Sequence, residues 1–133
     1  MRAGAVSMAD ATDNFDLILR VYERYPAEYI GFCYDSGHAI LGYNRMERLA
    51  PLMERLTVLH LNDNDHSGDL HLLPFAGKVD WQLAAELIAE SPYAKPLSFE
   101  VSMRSMGIAE EAIYLQEAYH MGAKFAAMVG ADS

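Results

Sequence analysis

The apolar residues of the chain first repeat with the period of a helix. Between residues 12 and 25 they stand three or four positions apart, at Phe15, Ile18, Leu19, Tyr22 and Tyr25. This spacing places them on one helix face. Pro26 ends the helix, and EYIGFCYD at 28–35 is typical of a strand. The chain is therefore predicted to open with a helix and a strand.

The alternation continues downstream. Residues 44–56 are predicted to form a helix, with Asn44 as its cap, Glu47 completing a capping box and Pro51 as a kink. LTVLHLN at 56–62 predicts a second strand, which a long polar loop follows.

The last third of the chain repeats the pattern. Asp80 is expected to cap a helix over 81–90, and PLSFEVS at 96–102 predicts a third strand. A long amphipathic helix follows, because one stripe carries Ile108, Ala112, Leu115, Tyr119, Gly122, Ala126 and Val129.

The predicted order is therefore α-β-α-β-α-β-α. This order indicates an α/β fold whose parallel strands are joined by right-handed helical crossovers. A length of 133 residues suits a single domain spanning 1–133, with residues 1–11 as a poorly ordered lead.

The three predicted strands each have a bulky apolar face and a smaller, more polar face. Asp35, His60 and Glu100 lie on the polar face, at or near the C-terminal end of each strand. Strands of an open doubly wound sheet are apolar on both faces, whereas a (β/α)8 barrel has a crowded interior and functional groups at its C-terminal mouth. The pattern therefore favours part of a TIM barrel.

Asp35, His60 and Glu100 would together form a mixed oxygen and nitrogen site. Such ligands suit Mn²⁺, Co²⁺, Zn²⁺ or Mg²⁺. A strand-end Asp is usually a turn former, and a single His is more often a hydrogen-bonded core or surface residue. Glu100 is harder to explain without a ligand, since it lies between Phe99 and Val101 and costs stability there unless it is paired.

The segment HLNDNDHSGDLH at 60–71 is rich in histidine and aspartate. It resembles the start of an EF-hand loop, but Pro74 occupies the position that requires a bidentate Glu, so we reject that reading. For Asp63, Asp65 and His66 we favour a solvated loop.

Composition excludes several classes of function. Ten basic and nineteen acidic residues give a net charge of −9, which disfavours a nucleic-acid partner. No segment approaches the ~20 apolar residues of a membrane span, and the first residues lack the apolar run of a signal peptide. The lone Cys33 excludes an internal disulfide. We expect a cytoplasmic protein.

Four motifs in order, YDSGH at 34–38, LHLNDND at 59–65, DLHLLPFAGKVDW at 69–81 and SFEV at 98–101, resemble the C-terminal part of the xylose isomerase-like TIM-barrel superfamily. This group contains sugar-phosphate isomerases and epimerases, ketose 3-epimerases and metal-dependent apurinic endonucleases. The resemblance covers residues 12–128 or so.

The resemblance implies roles for matching positions. Asp35, His60 and Glu100 would be metal ligands, and Glu100 would also be one of two acid/base glutamates in the epimerases. His38 would bind the substrate. Asp69 and His71 match a pair that lies by the substrate in the sugar enzymes; this pair, like His38, binds a further metal in the endonucleases.

The departures from the family pattern are equally specific. A full barrel has eight strands, and the family's other metal-binding Glu lies on a strand expected to precede Met1. The favoured function is a divalent-metal-dependent sugar or sugar-phosphate isomerase or epimerase that is incomplete as this chain alone. The alternatives are an inactive barrel fragment and an endonuclease-like phosphodiesterase. Expected partners are a small sugar and either further copies of the chain or a protein that supplies the missing strands.

Overall fold

The computed structural model describes residues 4–7, 11–41 and 46–130. A three-stranded parallel sheet is formed by β1 (Gly4–Ser7), β2 (Ile30–Asp35) and β3 (Leu56–His60), in the order β1-β2-β3. Gly4 pairs with Ile30 at the N-terminal end of the sheet, and Asp35 pairs with His60 at its C-terminal end. The C-terminal ends of β2 and β3 therefore lie side by side.

Helices connect and flank these strands. The α-helices are α1 (Ala11–Arg24), α2 (Ser36–Leu41), α3 (Trp81–Glu90) and α4 (Glu111–Val129), and two 3-10 helices span Met46–Arg55 and Arg104–Met106. α3 begins where the sequence predicts, since the Asp80 side chain accepts a hydrogen bond from the Leu83 amide at 3.0 Å. None of these described helices is long and apolar enough to cross a membrane.

Three elements differ from the prediction. β1 falls within the expected unstructured lead: GAVS is too short and small for a recognisable strand pattern, and it forms by pairing with the free edge of β2. The helix predicted at 44–56 is a 3-10 helix over Met46–Arg55, with Pro51, which lacks an amide donor, in its interior. Asn44 and the side chain of Glu47 lie outside what the structure describes.

The third difference is the strand predicted at 96–102. This segment is held to the residue after β3 by one parallel bridge between Leu61 and Phe99. The Leu61 amide donates to the Ser98 carbonyl, and the Glu100 amide donates to the Leu61 carbonyl, each at 3.0 Å. Regular pairing ends there because the Ser102 amide donates to the His71 carbonyl instead of continuing the ladder with the segment after β3.

The core lies between the sheet and the helices. Its most buried large side chains include Phe32 and Tyr34 from β2, Leu59 from β3, and Phe125 from α4, each 1% exposed or less. Phe32, Tyr34 and Leu59 lie on the faces predicted to be bulky and apolar. The architecture is α/β, with parallel strands in chain order under helices, as in a segment of a TIM-barrel wall.

Candidate metal centre

Asp35, His60 and Glu100 converge at the C-terminal ends of neighbouring strands. Their nearest donor atoms all lie within 4.8 Å of one another. His60 Nδ1 is 3.2 Å from Glu100 Oε2 and 3.8 Å from Asp35 Oδ2. The strand register produces this meeting, because Asp35 pairs with His60, and the Leu61–Phe99 bridge brings Glu100 alongside.

Asp35 is the fixed member of this cluster. It is buried, and its Oδ1 accepts hydrogen bonds from the His38 amide at 2.9 Å and from Asn62 Nδ2 at 3.2 Å. Oδ2 is left facing His60 and His38 Nδ1, the latter at 3.2 Å. His38 Nδ1 is buried and makes no hydrogen bond within the described structure, so this short approach lacks hydrogen-bond geometry.

A second cluster adjoins the first. His38 Nε2 lies 3.1 Å from Asp69 Oδ2, and His71 Nε2 lies 3.2 Å from Asp69 Oδ1. Donor atoms of these three residues also lie within 4.8 Å of one another. His38 connects the two clusters, since its ring faces Asp35 through one nitrogen and Asp69 through the other.

In the second cluster, Asp69 and His71 shift each other's pKa. Desolvation acts to lower the pKa of His71, but a hydrogen bond to the Glu100 carbonyl at 2.9 Å and the Asp69 carboxylate outweigh it and raise that pKa. Desolvation acts to raise the pKa of Asp69, yet contact with His38 and His71 holds it below its ordinary value. The pKa values of Asp69 and His71 are therefore moved in opposite directions by their mutual contact.

The first cluster suits a divalent cation. Two carboxylates, which only accept hydrogen bonds when ionised, face a single imidazole across a few ångströms. A bound divalent cation would offset the negative charge that the two carboxylates concentrate there. Two oxygen donors and one nitrogen donor are the mixed set that Mn²⁺, Co²⁺, Zn²⁺ and Mg²⁺ share, so the residues fit the ion that the resemblance implies.

The strand before α1 corrects one expectation. The resemblance predicts that strand, with its metal-binding Glu, ahead of Met1. β1 occupies the position beside β2, but its residues Gly4–Ser7 include no carboxylate. The additional ligand is therefore not found on β1.

The loop after β3 differs from the solvated loop that the sequence predicts. Asp63 is fully buried rather than solvated, and its carboxylate accepts hydrogen bonds from the Gly77 and Val79 amides and from Trp81 Nε1. Asp65 is exposed as predicted. The sequence reasoning missed Asp63, although an Asp flanked by two asparagines directly after a buried strand was a signal for such a role.

The family can be decided by comparison with known proteins. The model of the xylose isomerase-like TIM barrel family matches residues 7–123. The chain belongs to this family. The match begins at the end of β1 and extends into α4. The region that matches the xylose isomerase-like family therefore includes both side-chain clusters.

One curated relative is an uncharacterized protein, y4fM, from Sinorhizobium fredii. It is 34% identical over 122 residues, which are 91% of this chain but 39% of the relative. The chain thus spans about two fifths of the length of that relative. No solved structure gives a significant match.

Proposed function

We propose that this chain carries the metal site of a divalent-metal-dependent sugar or sugar-phosphate isomerase or epimerase. The observation that supports the proposal best is the convergence of Asp35, His60 and Glu100 within 4.8 Å. Membership of the xylose isomerase-like family gives the fold in which such a mouth is a usual place for chemistry.

Asp35, His60 and Glu100 are the proposed ligands of Mn²⁺, Co²⁺, Zn²⁺ or Mg²⁺. When bound, such an ion supplies Lewis acidity toward a carbonyl or hydroxyl oxygen. The chain's own groups do the rest. The half-exposed Glu100 carboxylate accepts a proton from the carbon beside the sugar carbonyl. His38 and His71 hold substrate hydroxyl or phosphate oxygens, and Asp69 accepts a hydrogen bond from a substrate hydroxyl.

The described residues offer one base of the expected pair. A single carboxylate can remove a proton and return it to the same face, but inversion requires a second acid on the opposite face. The proposal therefore separates proton exchange, which Glu100 supports, from net epimerisation, which needs a group from outside the described cluster.

Deuterium incorporation tests this separation. The chain is incubated in D₂O with Mn²⁺ and a panel of ketoses, and NMR follows the hydrogen on the carbon next to the carbonyl. We expect metal-dependent exchange without epimerisation. Glu100→Gln should abolish the exchange, whereas Glu86→Gln on the exposed face of α3 should not. Absence of exchange in the metal-loaded chain would instead favour a catalytically inactive barrel fragment.

An endonuclease-like phosphodiesterase is a second candidate. It is favoured by the His38–Asp69–His71 cluster beside the first, since two adjacent metals can clamp the attacking and leaving oxygens of a phosphodiester. The net charge of −9 opposes nucleic-acid binding. Cleavage of DNA containing abasic sites, lost with Asp69→Asn, would select this alternative over the isomerase.

A further inference from the structure

α4 has two apolar faces, but only one of them is buried. Tyr114 and Phe125 pack inward. Roughly 90° around the helix, at ~100° per residue, Leu115 and Tyr119 are 57% and 74% exposed. These two belong to the stripe that the sequence predicts to face the core. An apolar helix face of this kind is normally buried. Its exposure here indicates that a packing partner is missing.

That exposed face borders an apolar groove. The groove has a volume of about 720 Å³ and lies between α4 and the segment 93–99. Its walls include Tyr93, Leu97, Phe99, Tyr119, Gly122 and Ala126. Gly122 faces the Phe99 ring, which a Cβ at position 122 would touch at an ordinary contact distance of 3.4 Å. The groove thus has the shape and surface to accept apolar side chains from another element.

The backbone beside the groove is an open strand edge. The Ser98 carbonyl and the Glu100 amide are hydrogen-bonded to the backbone of Leu61. The amides of Phe99 and Val101, which point the other way, have no hydrogen-bond partner among the described residues. At the opposite end of the sheet, β1 pairs only with β2 within the described structure. The molecule therefore presents two parallel edges, one at each end.

We propose that a second copy of this chain occupies the groove, so that two copies close one eight-stranded parallel barrel. β1, β2, β3 and the extended segment 97–101 amount to four parallel strands in chain order, which is half of a TIM barrel. A two-fold axis along the barrel places β1 of each copy against the 97–101 edge of the other. The α4 stripe is then covered where the partner's βα unit packs.

A second copy satisfies the observations more completely than an unrelated partner. The chain itself carries both complementary edges, and pairing them twice leaves no free edge. The net charge of −9 on each copy adds repulsion between the two halves. Because salt screens that repulsion, the dimer should tighten as ionic strength increases. The proposal does not depend on the identity of the metal or the sugar.

Sedimentation equilibrium with a matched pair of variants tests the proposal. The unmodified chain should be a dimer. Tyr119→Asp places a charge in the groove and should weaken dimerisation at least tenfold. Ile113→Asp makes the same charge change on the opposite face of α4, at 53% exposure, and should leave the dimer intact. A monodisperse monomer, an oligomer other than a dimer, or equal behaviour of the two variants would overturn the proposal.

Hydrogen exchange distinguishes edge pairing from other modes of dimerisation. In the unmodified dimer the Phe99 and Val101 amides should exchange slowly, and in Tyr119→Asp they should exchange as fast as unstructured amides. A dimer in which these two amides exchange freely would contradict barrel closure through this edge.

Discussion

Asp63 accepts a hydrogen bond from the indole Nε1 of Trp81 at 2.7 Å, and both side chains are buried. The same carboxylate accepts bonds from the Gly77 amide at 3.0 Å and the Val79 amide at 2.9 Å. Asp63 thereby ties the segment after β3 to the start of α3. The loop that carries Asp69 and His71 lies between these two points.

Asp63→Ala should therefore destabilise the protein strongly. It leaves four donors without this partner, three of which are buried: the Asn64 and Val79 amides and the Trp81 indole. Each unpaired buried donor costs ~1–3 kcal/mol. We expect a loss of at least ~2 kcal/mol in the free energy of unfolding, measured by urea denaturation. Asp65→Ala, in the exposed part of the same loop, should change stability by less than ~0.5 kcal/mol. Equal effects of the two variants would contradict this account of Asp63.

Gly37 allows the YDSGH motif at 34–38, which carries Asp35, to lie close to the segment after β3. A Cβ on Gly37 would collide with Asn62 Oδ1 and come within 2.7 Å of Asn64 Nδ2. Since Asn62 donates to Asp35, Gly37→Ala should displace the Asp35 carboxylate and reduce stability, and it should also reduce the affinity for the proposed metal ion.

The matched control for Gly37 is Gly68→Ala. A Cβ there meets nothing within 4 Å, so this variant should retain both properties. Thermal unfolding and metal titration of the two variants check the comparison. Unchanged metal affinity in Gly37→Ala would show that the close packing at position 37 does not position Asp35.

Cys33 should be chemically inert in the folded chain. Burial, reinforced by the Asp35 carboxylate, raises the pKa of its thiol to about 11. Relative to an ordinary thiol with a pKa of ~8.5, the thiolate fraction near pH 8 falls by about two orders of magnitude. A thiol reagent should modify Cys33 at least ~100-fold more slowly than in urea-unfolded protein. Rapid labelling of the native chain would indicate that the sheet opens readily.

The Asp69–His71 pair gives the metal-free protein a pH-dependent stability. The pKa of His71 is raised, so its contribution is full below the unfolded value of ~6.5 and is lost as pH rises through the folded pKa. The pKa of Asp69 is lowered, so its contribution is full above ~3.9 and is lost as pH falls through the folded pKa. The pair is therefore most stabilising between ~4 and ~6.5.

Asp69→Asn checks this expectation. In chelator, the variant should be less stable than the unmodified chain by under ~1 kcal/mol near pH 5.5, because Asp69 is partly exposed, and the difference should shrink near pH 8.5. A difference that grows with increasing pH would contradict the assignment. NMR titration of His71 should show a lower pKa in the variant.

The sequence predicted those parts of the molecule that depend on local pattern. α1, α3, β2, β3 and α4 begin and end within a few residues of the predicted limits, because periodicity and caps such as Asp80 act locally. The alternation of polar and apolar strand residues brought Asp35, His60 and Glu100 into one hypothesis, and the structure places them together.

What the sequence did not predict depends on pairing partners distant in the chain. β1 forms because β2 offers an edge, and the segment 96–102 remains a single bridge because the Ser102 amide donates to the distant His71 carbonyl instead of continuing the ladder. The burial of Asp63 likewise depends on Trp81, eighteen residues away in the chain. Neither the hydrophobic period nor the composition of the loop contains that information.

Titration of the metal-free chain with Co²⁺, followed by calorimetry and by the visible absorption of the bound ion, tests the central claim most directly. The claim is that Asp35, His60 and Glu100 bind a divalent ion. We predict a saturable site that Asp35→Asn weakens at least ~10-fold and that Asp65→Asn, with the same charge change, leaves unaltered. Binding of equal strength in the unmodified chain and Asp35→Asn would contradict the claim.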